Sequence, residues 1–198
     1  YNKNIVRGSQ FDMVRIITEC RICGNKNLME VVNLGEHALT GVFPKSRDVD
    51  ITRGPLRLLK CQSSESYETC GLLQLGDSYD LSELYGLNYG YRSGLNKSMV
   101  DHLHRKIKNI LSMVVLKKND LIIDIGSNDS TTLQAYPAGE YQLIGIDPTG
   151  IKFAEYYPPH IQIIPDFFSS KIIRKHYGGQ RAKIVTSFSM FYDLEQPL

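Results

Sequence analysis

Residues 121–130 read "LIIDIGSNDS", an apolar run that ends in an aspartate, a glycine and four small polar residues. Short apolar runs bounded by turn residues have the pattern of buried strands, and three more follow: "QLIGID" at 142–147, "IQIIPD" at 161–166 and "AKIVTSFS" at 182–189. Short helical segments separate them. This alternation is the rhythm of a parallel α/β sheet, and the chain from 119 to 198 is read as one. It is expected to be incomplete, because four strands fall short of the roughly five to seven of an open doubly wound sheet.

A strand that ends in Asp124-Ile-Gly126 and turns into a helix would place backbone amides and a positive helix end at the carboxyl edge of the sheet, where α/β proteins bind ligands. A dinucleotide would require G-x-G-x-x-G, since pyrophosphate approaches the backbone at the second glycine. Here the second and third positions are Asn128 and Thr131. The loop therefore suits a cofactor without phosphates, and S-adenosylmethionine, small and cationic, fits better than NAD. Asp124 and Asp129 would repel phosphate and tolerate a sulfonium. Asp147, ending the second strand, is placed to receive two ribose hydroxyls, and Asp166 with Phe167, after the third, to bond and cover an adenine. The alternative for any one aspartate alone is a helix cap, a reading that three successive strand ends together make less favoured.

Working outward toward the amino terminus, residues 79–118 hold the end of a tyrosine-rich stretch, "SYDLSELYGLNYGYRSGLN" at 78–96, and then an amphipathic helix. Met99, Leu103, Ile107, Leu111 and Val114 recur at helical spacing, Asn96 is a plausible N-cap, and the segment is expected to link two domains. His102 and His104 stand two apart and so do not share a helix face for metal binding.

Residues 1–78 form a third zone, turn-rich and short-stranded, with all four cysteines. Cys20-x2-Cys23 is a tight pair, and Cys61-x8-Cys70 a looser one across "QSSESY"; glycine follows the second cysteine of each, at Gly24 and Gly71. Two turns with four thiolates make a tetrahedral zinc site, and a following glycine lets backbone amides turn toward sulfur. With four protein ligands such a site is closed, hence structural. The alternative is a set of reduced structural cysteines, and His37 is the one nearby substitute ligand.

Composition limits the remaining classes. With 42% hydrophobic residues the chain can bury a core, and 23 Lys and Arg against 21 Asp and Glu leave a net charge of +2 with no single-sign block. That balance does not favour nucleic-acid binding. No apolar stretch approaches the length of a membrane span and the amino-terminal "YNKNIVRGSQ" lacks a signal-peptide core, so the chain reads as soluble and cytoplasmic.

Taken in order, "CRICG", "CGLLQL", "YGYRSGLN", "DIGSND", "GIDP", "PDFF" and "SFSMFYDLEQP" resemble the zinc-containing, S-adenosylmethionine-dependent C-methyltransferases of nucleotide-linked keto-deoxysugars. The resemblance implies a small zinc domain followed by a Rossmann-like class I methyltransferase domain. It implies zinc on Cys20, Cys23, Cys61 and Cys70, and cofactor on the loop bearing Asp124, Gly126, Ser127 and Asn128 and on Asp147. Ser130 stands where the family's loop carries glycine. The family's chemistry removes a proton beside a keto group and transfers methyl to that carbon. In this chain the phenols of Tyr89, Tyr91 and Tyr192 are the candidate catalytic groups, and Arg92 a candidate phosphate ligand. Family members are about twice this length, so a histidine-bearing catalytic segment and a further domain are expected beyond Leu198. Two other readings remain open: a zinc-ribbon binding module with a non-catalytic Rossmann-like domain, and an NAD-dependent sugar-nucleotide enzyme.

Overall fold

A computed structural model describes residues 14–39, 44, 46–63, 69–85 and 89–194. The chain divides into two compact units, one running up to Gly90 and one spanning Tyr91–Tyr192. The N-terminal "YNKNIVRGSQ", the middle of the Cys61–Cys70 loop at 64–68 and the last four residues lie outside the described residues.

The described strands of the first unit pair antiparallel. Strands β2 (Leu28–Ala38), β3 (Arg53–Cys61) and β4 (Leu73–Leu75) form a three-stranded sheet in that order, and β1 (Val14–Ile16) pairs with β5 (Asp77–Tyr79) in a separate ribbon ahead of a single helical turn, α1 (Leu81–Leu84). The long β2 is bent by two register shifts against β3; at the second, Asn33 Oδ1 accepts from the Gly35 amide at 2.9 Å. Arg57 on β3 meets Asp77 on β5 through two hydrogen bonds of 2.6 and 2.8 Å, and Asp77 is buried. That forked pair joins the sheet to the ribbon and satisfies a carboxylate that would be costly to bury alone. Among the described residues, the buried apolar side chains of this unit are Cys20, Leu39, Leu59 and Cys61. So small a core offers little hydrophobic stabilisation.

The second unit has the opposite character. Helix α2 (Lys97–Met113) starts at Asn96, whose Oδ1 accepts from the Ser98 amide at 2.9 Å as an N-cap. The helix lies within this unit, with Leu103 and Ile107 buried. Strands β6 (Leu121–Ile125), β7 (Gln142–Ile146), β8 (Ile161–Ile164) and β9 (Ile184–Thr186) form one parallel sheet in the order β8-β7-β6-β9, with helix α3 (Ser170–Tyr177) between β8 and β9. These are the four apolar runs read from the sequence, and the order is that of the first four strands of a doubly wound sheet. Both faces are covered. Ile122, Leu143, Ile161 and Ile184 pack with Ile107 of α2, Leu133 and Tyr136, while Leu121, Ile123, Ile125, Ile144, Ile146 and Ile164 pack with Ile172 and Ile173 of α3. Double coverage explains why the strands are continuously apolar rather than alternating.

One expected element is corrected. The turn after β6 does not lead into an α-helix but into a three-residue 3-10 turn, Leu133–Ala135. Pro137 and Gly139 follow within four residues, which leaves no room for a second helical turn. No aligned run of peptide dipoles therefore faces the carboxyl edge at this point, and the helix-end contribution expected there is absent.

Candidate functional site

The four cysteines converge as the sequence pairs them. Their sulfurs lie within 4.8 Å of one another, with Cys20 Sγ 3.4 Å from Cys70 Sγ and Cys23 Sγ 3.6 Å from Cys61 Sγ. Tetrahedral zinc with Zn–S near 2.3 Å places its sulfurs about 3.8 Å apart, a spacing close to that of the quartet. All four thiols are free of disulfides. Gly24 and Gly71 both have φ near +70°, with open space where a side chain would stand, so backbone conformation and not crowding selects glycine after each ligand. His37 is not part of the cluster; its ring bonds the Leu34 carbonyl at 2.8 Å within β2.

Three residues that the cysteine spacing does not reveal complete this centre. Asn25, buried, donates from Nδ2 to Cys61 Sγ at 3.4 Å and to the Gln62 carbonyl at 2.9 Å. The Thr69 hydroxyl lies 2.9 Å from the same sulfur. Gln74 on β4 clasps the first knuckle by accepting from the Arg21 amide at 3.0 Å and donating to the Glu19 carbonyl at 3.2 Å. The thiols consequently differ: Thr69, followed by Asn25, draws Cys61 down to about 6, backbone amides of Cys70 and Asn25 lower Cys23, and burial pushes Cys20 up to about 12. Donors aimed at sulfur stabilise thiolate, the form that binds metal. The turns at Cys23-Gly24 and Cys70-Gly71 were legible in the sequence, and the donors beside them depend on where the turns meet.

In the second unit the candidate cofactor residues gather at the carboxyl end of β6, but most are engaged with the protein itself. Asp147 caps the 3-10 turn Pro148–Ile151, Oδ1 accepting from the Thr149 amide at 2.7 Å, and its Oδ2 accepts from the Asn128 amide at 2.8 Å. It thus clasps the loop after β6 as well as ending β7. Asp124 is fully buried within β6, accepting from Thr186 Oγ1 at 2.6 Å, and burial pushes its carboxyl up to about 7 despite the Thr186 and Thr132 hydrogen bonds. Near neutral pH the carboxyl is therefore only partly ionised, so the negative charge expected of it is reduced. Asp129 is buried as well: Oδ1 accepts from Thr131 Oγ1 at 2.5 Å and Oδ2 from the Gly94 amide at 2.8 Å.

The loop itself is conformationally unusual. Gly126, Asn128 and Ser130 have φ of 72°, 51° and 64°, so every second residue is left-handed. Ser130, fully buried, thus occupies a backbone conformation that favours glycine, and its hydroxyl donates to the Tyr156 carbonyl at 3.0 Å. Ser127 Oγ lies 2.8 Å from the Tyr157 hydroxyl, which donates to the Asn128 carbonyl at 2.9 Å. The only candidate cofactor residues standing at the surface are Asp166 and Phe167 after β8; Asp166 accepts from the Phe167 amide at 2.7 Å.

The candidate catalytic phenols are divided between the two units. Tyr89 belongs to the first unit, beside Tyr85 at 5.4 Å between ring centroids, whereas Tyr91 and Tyr192 belong to the second and are exposed. Arg92, offered as a phosphate ligand, is instead seated 3.9 Å over the Tyr156 ring and 3.7 Å from Asp129. Of the two helical histidines, His104 is bonded to the Thr131 carbonyl at 3.0 Å, and His102 is exposed.

Residues 20–85 match a methyltransferase-associated family described as "Putative zinc binding domain". The C-methyltransferase NovU of Streptomyces niveus is 25% identical over 163 residues, which cover 81% of this chain and 37% of that protein. The chain thus spans little more than a third of this relative's length. The two matches bear out the resemblance to zinc-containing C-methyltransferases, and the matched segment contains all four clustered cysteines, so the family match and the cluster both support zinc binding. Among the described residues no helix is long and apolar enough to cross a membrane.

Proposed function

We propose that the chain is the zinc domain and methyl-donor domain of an S-adenosylmethionine-dependent C-methyltransferase that acts on a nucleotide-linked keto-deoxysugar. The observation that carries this reading is the union, in one chain, of a four-thiolate zinc site with a β8-β7-β6-β9 parallel sheet whose first strand ends in a glycine-poor loop held by Asp147. We take this second unit to be Rossmann-like.

The fit to the methyl donor is chemical. A loop carrying Asn128 and Thr131 where phosphate-binding loops carry glycine leaves no close backbone approach for pyrophosphate, and the acidic side chain at 147 favours a cation. In this reading Ser127, Asn128 and Asp147 hold the nucleoside side of the cofactor, Asp147 using lone pairs that remain after its bonds to the Thr149 amide and hydroxyl and the Asn128 amide, and Phe167 covers the adenine. Bound cofactor supplies an electrophilic methyl group. The protein must supply a base for the proton beside the substrate's keto group and a donor for the resulting enolate oxygen. Tyr91 and Tyr192 are the exposed phenols of the second unit available for those tasks, and Tyr89 is the corresponding group of the first. Zinc has no part in the chemistry, because four thiolates leave it no open position.

Titration calorimetry with S-adenosylhomocysteine and, separately, with NAD tests the reading. Binding of the first and not the second is expected. Binding of NAD alone would favour a sugar-nucleotide oxidoreductase, and binding of neither a module without cofactor.

A further inference from the structure

The Tyr91–Gly94 segment is fastened to the loop after β6 by a set of contacts that neither zinc binding nor methyl transfer requires. Ser93 donates its amide to Asn128 Oδ1 at 2.9 Å, Gly94 donates its amide to Asp129 Oδ2 at 2.8 Å, and Asn128 Nδ2 donates to the Tyr91 carbonyl at 3.1 Å. Between them Arg92 lays its guanidinium 3.9 Å from the centroid of Tyr156, with Nη1 3.7 Å from Asp129 Oδ2. Tyr156 in turn accepts, at its carbonyl, from Ser130 Oγ at 3.0 Å and from Gln134 Nε2 at 3.1 Å. Arg92 therefore touches both neighbours of the loop: the carboxylate at its centre and the ring whose backbone holds its end.

The loop needs such support. Asn128 and Ser130 are left-handed without being glycine, and backbone in that region persists only where surrounding contacts over-determine it. A planar guanidinium is suited to this place because it can stack on a ring and reach a carboxylate together, which an ammonium cannot.

We infer that Arg92 is a positioning residue of the methyl-donor site: clamped between Asp129 and Tyr156, it holds the Tyr91–Gly94 segment against residues 126–130 and keeps Asn128 and Ser130 in their left-handed conformations before ligand arrives. This rests on the cofactor reading for its purpose but not for its geometry. Asp129 then serves the site through Arg92 and Gly94 and does not touch the ligand.

The test uses the whole chain and two readouts, S-adenosylhomocysteine affinity and hydrogen exchange at the Asn128 and Ser130 amides, with the Ile123 amide of β6 as an internal control. Arg92→Ala and Tyr156→Ala are each expected to weaken binding about tenfold and to speed exchange at the loop by a similar factor, with Ile123 unchanged. Arg92→Lys should fall with Arg92→Ala, and Tyr156→Phe, which keeps the ring, should match the parent protein. The double variant Arg92→Ala/Tyr156→Ala should be no worse than either alone, since both remove one clamp. Loop exchange unchanged within twofold in Arg92→Ala and Arg92→Lys overturns the inference, as does an equal rise at Ile123, which would make Arg92 a part of general stability. Should the parent protein fail to bind S-adenosylhomocysteine while the exchange pattern appears as described, the cofactor reading falls and the clamp stands.

Discussion

At the scale of single residues, the loop after β6 separates two demands on the backbone. Gly126 has φ of 72° and a Cβ there would lie 3.0 Å from Met190 Cγ, so Gly126→Ala meets both strain and crowding and is expected to cost about 1–3 kcal/mol. Ser130 is left-handed too but gains hydrogen bonds, donating to Tyr156 and lying 2.9 Å from Gln134 Nε2. Ser130→Gly exchanges those bonds for relief of about 1 kcal/mol of backbone strain and should stay within about 1 kcal/mol of the parent. Ser130→Ala keeps the strain and loses the bonds, so urea midpoints should fall in the order parent and Gly, then Ala. The departure at position 130 was visible in the sequence as serine where glycine was expected. That the serine is compensated by Tyr156 was not, because its partner lies 26 residues away in the chain.

At the scale of elements, the four parallel strands and α2 were legible because apolar run length and helical periodicity are local properties. The helix after β6 was misread because Gly126 resembles the start of a strand-to-helix turn, while Pro137 and Gly139 close the segment before a second turn can form. Strand β6 also carries a consequence for pH. Its Asp124 is read from sequence as a charged strand end, yet tertiary burial raises its carboxyl to about 7. An unfolded aspartate titrates near 3.9, so the folded unit holds an extra proton between about pH 4 and pH 7. The contribution of this group to stability is therefore full below about pH 4 and is lost as pH rises through about 7. Chemical denaturation of the second unit should show this decline, with a slope on the order of 1 kcal/mol per pH unit at most, and Asp124→Asn should flatten it. An unchanged slope in that variant would show that Asp124 is ionised in the fold.

At the scale of the whole molecule, the two units depend on different forces. The second buries an apolar layer on each side of its sheet, whereas among the described residues the first has few buried apolar side chains and a cluster of four cysteines. Chelation of metal, or Cys23→Ser, is accordingly expected to unfold the first unit and leave the second intact, since metal binding supplies folding free energy that the small core does not. Amide exchange resolved by residue is the check: protection lost across β2 and β3 but kept in β6 and β7. Loss of protection in both units together would mean that they fold as one. The sequence by itself determined the four-cysteine grouping, the strand runs and the class of sheet, because cysteine spacing, glycine placement and apolar patterning are written within short windows. Only the tertiary structure decided that burial raises the Asp124 carboxyl, which aspartates are caps, and that Arg92 is seated on a ring. Each of those outcomes depends on burial and on partners distant in the chain, and a side chain's charge and bonds follow from what surrounds it once the strands have assembled.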